Sequence, residues 1–99
     1  MNQRPVGLNE LDEIDDVFSA LAHPSRRQIL TVLRVRGGVM TSGELASRFA
    51  CSWPTTTRHL NVLVAAGLIS AKKRGREREY ACEMDLLVSV AGGWIDRFR

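Results

Sequence analysis

Residues 44–82 read ELASRFACSWPTTTRHLNVLVAAGLISAKKRGREREYAC, and this stretch decides the fold. Its first part carries two short helical patterns separated by a tight break. Ser52 is a candidate N-cap for the second helix, Pro54 fits the first turn of that helix, and Gly67 follows its end. The second part changes to extended patterns on both sides of Gly75, which predicts a hairpin.

The rest of the chain adds helices on both sides of this stretch. Helices are predicted at Glu10–Ala22 with Asn9 as N-cap, from Pro24 to the Gly37-Gly38 pair, at Thr41–Phe49, at Ser52–Ala66 and at Asp85–Phe98, and strands at Leu68–Ala71 and Arg78–Cys82. The predicted fold class is mainly α with a small β-hairpin, in the order α-α-α-α-β-β-α. No linker divides the chain, so residues 1–99 are expected to form a single domain.

Composition excludes several classes of protein. Of the 99 residues, 44% are apolar and 25% are charged, which is typical of a globular domain. The two cysteines allow at most one bridge, which excludes a disulfide scaffold and favours a reducing compartment. No apolar run approaches the roughly 20 residues of a membrane helix, and residues 1–7 lack the apolar segment of a signal peptide. We therefore expect a cytoplasmic protein with no membrane partner.

Charge is distributed unevenly along the chain, although the formal net charge is only +3. The first helix concentrates five acids, whereas residues 72–78 (KKRGRER) carry five cations and one acid. A charged run is often only a solvated surface. A basic run around a glycine, in a chain that is otherwise basic, favours a polyanionic partner.

Two helices joined by a tight turn have the dimensions of a helix-turn-helix, and the basic hairpin after them makes the winged form. In that form the second helix enters the major groove of double-stranded DNA, and the hairpin (the wing) lays cations along the phosphates. The predicted DNA contacts are Trp53, Thr55, Thr56, Thr57, Arg58 and His59 on the helix and Lys72, Lys73, Arg74, Arg76 and Arg78 on the wing. The alternatives are that the threonines only occupy an exposed face and that Trp53 and His59 pack within the domain.

The chain also resembles a known family in three motifs that occur in order. Residues 18–30 (FSALAHPSRRQIL) resemble the opening of the ArsR-type bacterial repressors. Residues 57–63 and 66–69 resemble the recognition helix of that family and its exit, and the hairpin ending in Glu79-Tyr80 resembles its wing. The resemblance implies a winged-helix homodimer that represses transcription until an effector releases it.

The family pairs its protomers through the first and last helices. Here these helices carry more apolar surface than one thin domain can cover, so dimerisation is assigned to Leu11, Ile14, Phe18, Leu87, Val90 and Trp94. Each glycine of the Gly92-Gly93 pair costs a helix about 1 kcal/mol relative to alanine. The pair therefore indicates either a close helix crossing at the interface or a kink or early end of the last helix.

The metal-sensing branch of the family carries a Cys-x-Cys-Asp-Leu motif at the start of its third helix. The aligned residues here are Thr41-Ser42-Gly43-Glu44-Leu45, and the last helix offers only the distant pair Asp85 and Asp96. A zinc or arsenic site needs several thiolate or imidazole donors. The chain thus resembles the metal-independent branch, with no metal, no cofactor and an effector that the sequence does not identify.

The remaining reactive residues have structural explanations. Cys51 and Cys82 are expected to be small buried apolar residues, with redox sensing as the alternative, and His23 is expected to cap the helix that begins at Pro24. No nucleophile–base pair, carboxylate pair or phosphate-binding glycine loop is recognisable, so an enzyme is not expected and no catalytic residue is assigned. The alternative to a DNA-binding repressor is a winged-helix module that binds a protein partner or RNA.

Overall fold

The computed structural model describes residues 8–49 and 52–99. The helices are α1 (Leu8–Leu21), α2 (Pro24–Val35), α3 (Ser42–Ala46) and α4 (Trp53–Ala65), and the strands are β1 (Val39–Thr41), β2 (Ile69–Arg74) and β3 (Glu77–Cys82). The last helix consists of α5 (Met84–Leu87), a π-helical segment (Val88–Gly92) and α6 (Gly93–Asp96). In the part of the chain that is described, no helix is long and apolar enough to cross a bilayer.

The three strands form one antiparallel sheet in the order β1-β3-β2, so that β3 is the central strand. In the β1–β3 pairing, Met40 lies opposite Tyr80, and both side chains are buried. β1 is not among the predicted strands. Three residues are too few to show an alternating pattern, and the partner of β1 is distant in sequence.

The hairpin of β2 and β3 is the predicted wing, and its strands are longer than predicted. They pair from Ile69 opposite Cys82 to Arg74 opposite Glu77, so both strands run through the basic segment. The turn between them contains Gly75 with φ +62°, a conformation that favours glycine.

The helix boundaries also differ from the predicted ones at several places. α1 begins at Leu8, so Asn9 lies inside the helix and the N-cap assigned to it is wrong. α3 ends at Ala46 rather than near Phe49. The last helix is interrupted by the π-helical segment, which ends at Gly92. The helix nevertheless continues through Gly93, so the glycine pair coincides with a change of helical type and does not end the helix.

The core joins α1, α2, α3, α4 and the sheet. Its fully buried side chains are Val17, Ile29, Leu33, Met40, Leu45, Leu60, Leu63, Leu68 and Ile69. All but one of these are aliphatic, and Met40 supplies a flexible thioether that adapts to irregular gaps. The packing fixes α4 against α2 and against the base of the wing.

The junction between α4 and the wing depends on Gly67, which has φ +78°. The amide of Leu68 donates to the carbonyl of Leu63 at 3.0 Å, and the amide of Gly67 donates to the carbonyl of Val64 at 2.9 Å, which closes the helix end. A Cβ atom at position 67 would lie 3.3 Å from Cδ1 of Leu86 in α5.

We predict that Gly67→Ala lowers the free energy of unfolding by more than the roughly 1–2 kcal/mol that a left-handed alanine costs, because the new methyl also crowds Leu86. Gly75→Ala is the matched control, since Gly75 also has a positive φ but open space around it. Urea unfolding measures the free energy of unfolding of both variants. Equal losses would mean that contact with α5 does not constrain this helix end.

Candidate nucleic-acid interface

The start of α4 is organised by Ser52, its N-cap. The Ser52 hydroxyl accepts a hydrogen bond from the Thr55 amide at 3.4 Å and donates to the Thr55 hydroxyl at 3.0 Å. Trp53 and Pro54 occupy the first turn, which suits proline because the amides there lack helical partners. The cap therefore holds Thr55, and Trp53 is left exposed at the tip of the helix.

The buried face of α4 carries two residues that were predicted to contact DNA. Thr56 is only 3% exposed, and its hydroxyl donates to the Ser52 carbonyl at 3.1 Å. His59 is 9% exposed. Both lie on the face that carries Leu60 and Leu63 into the core. The assignment of Thr56 and His59 to the DNA-contacting surface is therefore wrong, because neither side chain is presented outward.

His59 belongs instead to a cluster at the junction of α1, α2 and α4. Its ring lies 4.4 Å from the ring of His23, measured between centroids, and its Nδ1 is 3.4 Å from a terminal nitrogen of Arg26. Arg26 also donates to the carbonyls of Ala20 at 2.6 Å and Ser19 at 3.1 Å. This cluster fixes the packing of α4 against the end of α1.

His23 caps α2 as predicted, because its Nδ1 accepts a hydrogen bond from the Ser25 amide at 3.2 Å. Burial lowers the pKa of His59 below its ordinary value of 6.5, and the positive charge on His23, Arg26 and Arg58 lowers that pKa further. His59 is thus an interior histidine whose neutral form is favoured by its surroundings.

The outward face of α4 is formed by Arg58 and by Asn61, both exposed. Asn61 is not among the predicted contacts, although its position one helical turn after Thr57 is a signal that periodicity offers. Thr57 is half-buried, and its hydroxyl oxygen is buried without a hydrogen-bond partner among the described residues. A DNA contact through that hydroxyl would therefore require rotation of the side chain.

A groove of about 350 Å³ separates α4 from the wing. It is lined by Ser42, Trp53, Thr57, Asn61, Arg76, Arg78 and Tyr80. The groove therefore brings predicted contacts from the helix and from the wing to one surface. An exposed amide and two guanidinium groups make this surface suited to an anionic, hydrogen-bonding partner.

The wing cations fall into two groups because of Glu79, which was not singled out in the sequence. Glu79 is 8% exposed, and its carboxylate pairs with Lys72 at 3.3 Å and with Arg74 at 2.5 Å. The hydrogen bond from Arg74 and the charge of Lys72 lower the pKa of Glu79. Lys73, Arg76 and Arg78 form no ion pair with any described residue, so no described carboxylate compensates their charges.

The first and last helices expose an apolar surface. Trp94 packs edge-on against Phe18, with 5.3 Å between ring centroids, and against Phe98 at 4.9 Å. Leu11 is 44% exposed, and Phe98, which was not assigned to dimerisation, is 72% exposed. Leu87 and Val90 are half-buried. Ile14 is only 6% exposed and lines a depression between α1 and the last helix beside Val90 and Trp94, so its assignment to the dimer surface stays a prediction.

The thiol of Cys82 offers little reactivity. Cys82 is half-buried, and burial followed by the charge of Glu83 raises the pKa of its thiol, which disfavours the reactive thiolate. Cys51 lies outside the described residues.

Within 8–49 and 52–99, no three histidine, cysteine or carboxylate side chains are grouped so that they could hold a metal ion. Assignment to the metal-independent branch stays a prediction.

We predict that His59 makes the protein less stable as the pH falls from 7 to 5. The pKa of His59 is lower in the folded state than in the unfolded state. Neutral His59 therefore makes its full contribution to the free energy of unfolding above the unfolded pKa of 6.5, and that contribution is lost as the pH falls toward the folded pKa. The variant His59→Phe keeps a ring beside His23 and lacks the titrating group. Urea unfolding at several pH values is expected to show a smaller loss for this variant, and equal losses would contradict the assignment.

Comparisons with known proteins agree with this arrangement. A family model described as a helix-turn-helix domain matches residues 21–70. The transcriptional repressor SdpR of Bacillus subtilis (strain 168) is 38% identical over 74 residues, which cover 75% of this chain and 80% of SdpR.

Two solved structures are similar over most of the chain. An ArsR-like transcriptional regulator from Rhodococcus sp. RHA1 has 33% identity and a TM-score of 0.73, covering 90% of this chain and 88% of its own. A homodimeric winged helix-turn-helix DNA-binding domain from Mycobacterium bovis has 25% identity and a TM-score of 0.77, covering 97% of this chain and 88% of its own. The chain therefore belongs to the ArsR-type family of winged helix-turn-helix transcriptional regulators.

Proposed function

We propose that the chain is a sequence-specific DNA-binding repressor that acts as a homodimer on a two-fold symmetric operator. The observation that carries this proposal is the groove in which the outward face of α4 meets the uncompensated wing cations Arg76 and Arg78. Membership in a family of regulators supports the proposal and gives no support to an enzyme. Such a regulator would act in the cytoplasm, where it meets the chromosome.

In the proposed complex, the outward face of α4 enters the major groove. Arg58 is the candidate for a bidentate contact with guanine, and Asn61 is the candidate for the corresponding contact with adenine. Trp53 lies exposed at the tip of the helix, where it can pack against the sugar-phosphate backbone. Thr55 and Thr57 contribute to the shape of this surface, and a rotated Thr57 hydroxyl would gain the partner that it lacks among the described residues.

The wing is proposed to bind the phosphate backbone beside the groove. Lys73, Arg76 and Arg78 form no ion pair in the described part of the chain, so they would supply most of the attraction. Lys72 and Arg74 already pair with Glu79, and a phosphate would have to compete with that buried carboxylate. We therefore rank these two cations below the other three as DNA contacts.

Dimerisation is proposed through the exposed apolar surface of α1 and the last helix. The centre of this surface would be formed by Leu11, Phe18, Trp94 and Phe98. The half-buried side chains of Leu87 and Val90 would pack beneath it. A two-fold dimer presents two copies of α4 to the same face of DNA, so half-sites about one helical turn apart are expected. Repression then follows from occupation of the operator, and the effector that ends it stays unassigned.

Replacing Arg58 and Lys73 separately is expected to distinguish base reading from phosphate binding. Arg58→Ala should cost about 1–3 kcal/mol, mainly on a cognate duplex obtained by selection from a random library. Lys73→Ala should weaken binding to cognate and scrambled duplexes alike and reduce the salt slope by about one unit. Fluorescence anisotropy at several salt concentrations measures both effects.

Identical losses for both variants on both duplexes would contradict the role of α4 in base reading. If neither variant changed DNA binding, the module that binds a protein partner or RNA would be the better assignment.

The dimer surface is tested by Phe98→Glu, with Val35→Glu as the matched control. Both residues are 72% exposed, but Val35 lies at the end of α2. Burying an unpaired carboxylate in an apolar interface is costly, so Phe98→Glu should raise the dimer dissociation constant roughly tenfold or more. Sedimentation velocity over a range of concentrations reads this constant. A fully dimeric Phe98→Glu variant would show that the surface is not the interface.

A further inference from the structure

The first residue of β3, Glu77, makes a contact that neither the sequence nor the proposed function explains. It lies opposite Arg74 beside the turn of the wing, yet it forms no ion pair with any described residue. Its Oε1 atom instead accepts a hydrogen bond from the Gly43 amide at 3.0 Å, across 34 positions of sequence. Gly43 is the second residue of α3, the first helix of the helix-turn-helix.

One further hydrogen bond beside this contact joins the same two elements. The Arg78 amide donates to the Ser42 hydroxyl at 3.3 Å. The ladder between β1 and β3 ends where Thr41 lies opposite Glu79, so Glu77 is two positions nearer the turn of the wing than the last ladder pair. The carboxylate of Glu77 therefore connects the projecting part of the wing to α3 beyond the end of the sheet.

The glycine at position 43 leaves room for this contact. A Cβ atom there would lie 2.5 Å from Oε1 of Glu77, closer than a Cβ atom approaches a neighbouring atom, so the carboxylate would have to move. The amides in the first turn of a helix have no partner within the helix. The Glu44 amide is satisfied by the Thr41 hydroxyl, and the Gly43 amide is satisfied by Glu77.

We propose that Glu77 is a positioning residue for DNA binding, which holds the wing against α3 so that Arg76 and Arg78 face α4 across the groove. The inference rests on the proposed function, because it concerns how the wing reaches DNA. Glu77 acts through the geometry of the wing, and it does not itself touch DNA.

Whether a substitution at Glu77 weakens or strengthens DNA binding distinguishes the positioning role from a simple charge effect. A carboxylate beside DNA repels phosphate, so on charge alone its removal should strengthen binding to any duplex. A positioning role requires the opposite result on the cognate duplex. Glu79→Gln is the charge control, because Glu79 lies on the same strand and, among the described residues, its carboxylate forms ion pairs with the wing cations Lys72 and Arg74.

The experiment compares Glu77→Ala with Glu77→Gln by fluorescence anisotropy on cognate and scrambled duplexes. Alanine removes the acceptor, and we expect roughly three- to tenfold weaker binding to the cognate duplex, in line with the loss of one hydrogen bond. Glutamine keeps a carbonyl oxygen that can accept from Gly43, so it should bind at least as tightly as the wild type. Glu79→Gln should bind both duplexes at least as tightly as the wild type.

A readout without DNA accompanies the binding measurements. Amide hydrogen exchange of Gly43 should become faster in Glu77→Ala and should stay close to the wild-type rate in Glu77→Gln. Gly43→Ala displaces the carboxylate from the other side of the contact, and it should weaken cognate binding as Glu77→Ala does. Circular dichroism confirms that the variants are folded.

The outcomes separate this inference from the proposed function. Cognate binding by Glu77→Ala that equals or exceeds that of a discriminating wild type would overturn the inference and leave the proposed function intact. A wild type that does not distinguish cognate from scrambled DNA would overturn both.

Discussion

The pairing of β3 with strands on both of its sides is the constraint on which the rest of the structure depends. On one side β3 forms the wing with β2, and on the other it pairs with the three residues of β1. Thr41 ends β1 and also caps α3, where its hydroxyl and Glu44 form a capping box. One strand therefore fixes both the wing and the first helix of the helix-turn-helix, and the buried pair of Met40 and Tyr80 anchors this arrangement in the core.

Ion pairs within the wing determine which of its cations are available to a partner. A buried carboxylate in a basic wing is unexpected, but Glu79 gains two cationic partners and so remains charged. Glu79 holds Lys72 and Arg74 in ion pairs within the wing. Lys73, Arg76 and Arg78 form no ion pair with a described residue, so they are available to bind a partner. The wing is thus less uniform than its composition indicates, and its available positive charge is concentrated beside the turn, at Arg76 and at the cross-strand pair of Lys73 and Arg78.

Much of the fold could be predicted because its signals are local. The cap at Ser52, the glycine that ends α4 and the glycine in the wing turn are all read from neighbouring residues. β1 could not be predicted in this way, since its pairing with β3 is a tertiary contact. The inward orientation of Thr56 and His59 follows the helical period set by Leu60 and Leu63, but their polar character favoured an exposed position.

The central claim is that α4 and the wing form one DNA-binding surface, held together through β3. Hydrogen exchange with mass spectrometry, on the free protein and on its complex with a selected cognate duplex, tests this claim most directly. The account predicts that DNA slows exchange in the first turns of α4 and around the wing turn together, with little change in the last helix. Slowed exchange that is confined to the last helix, with α4 and the wing unchanged, would contradict it.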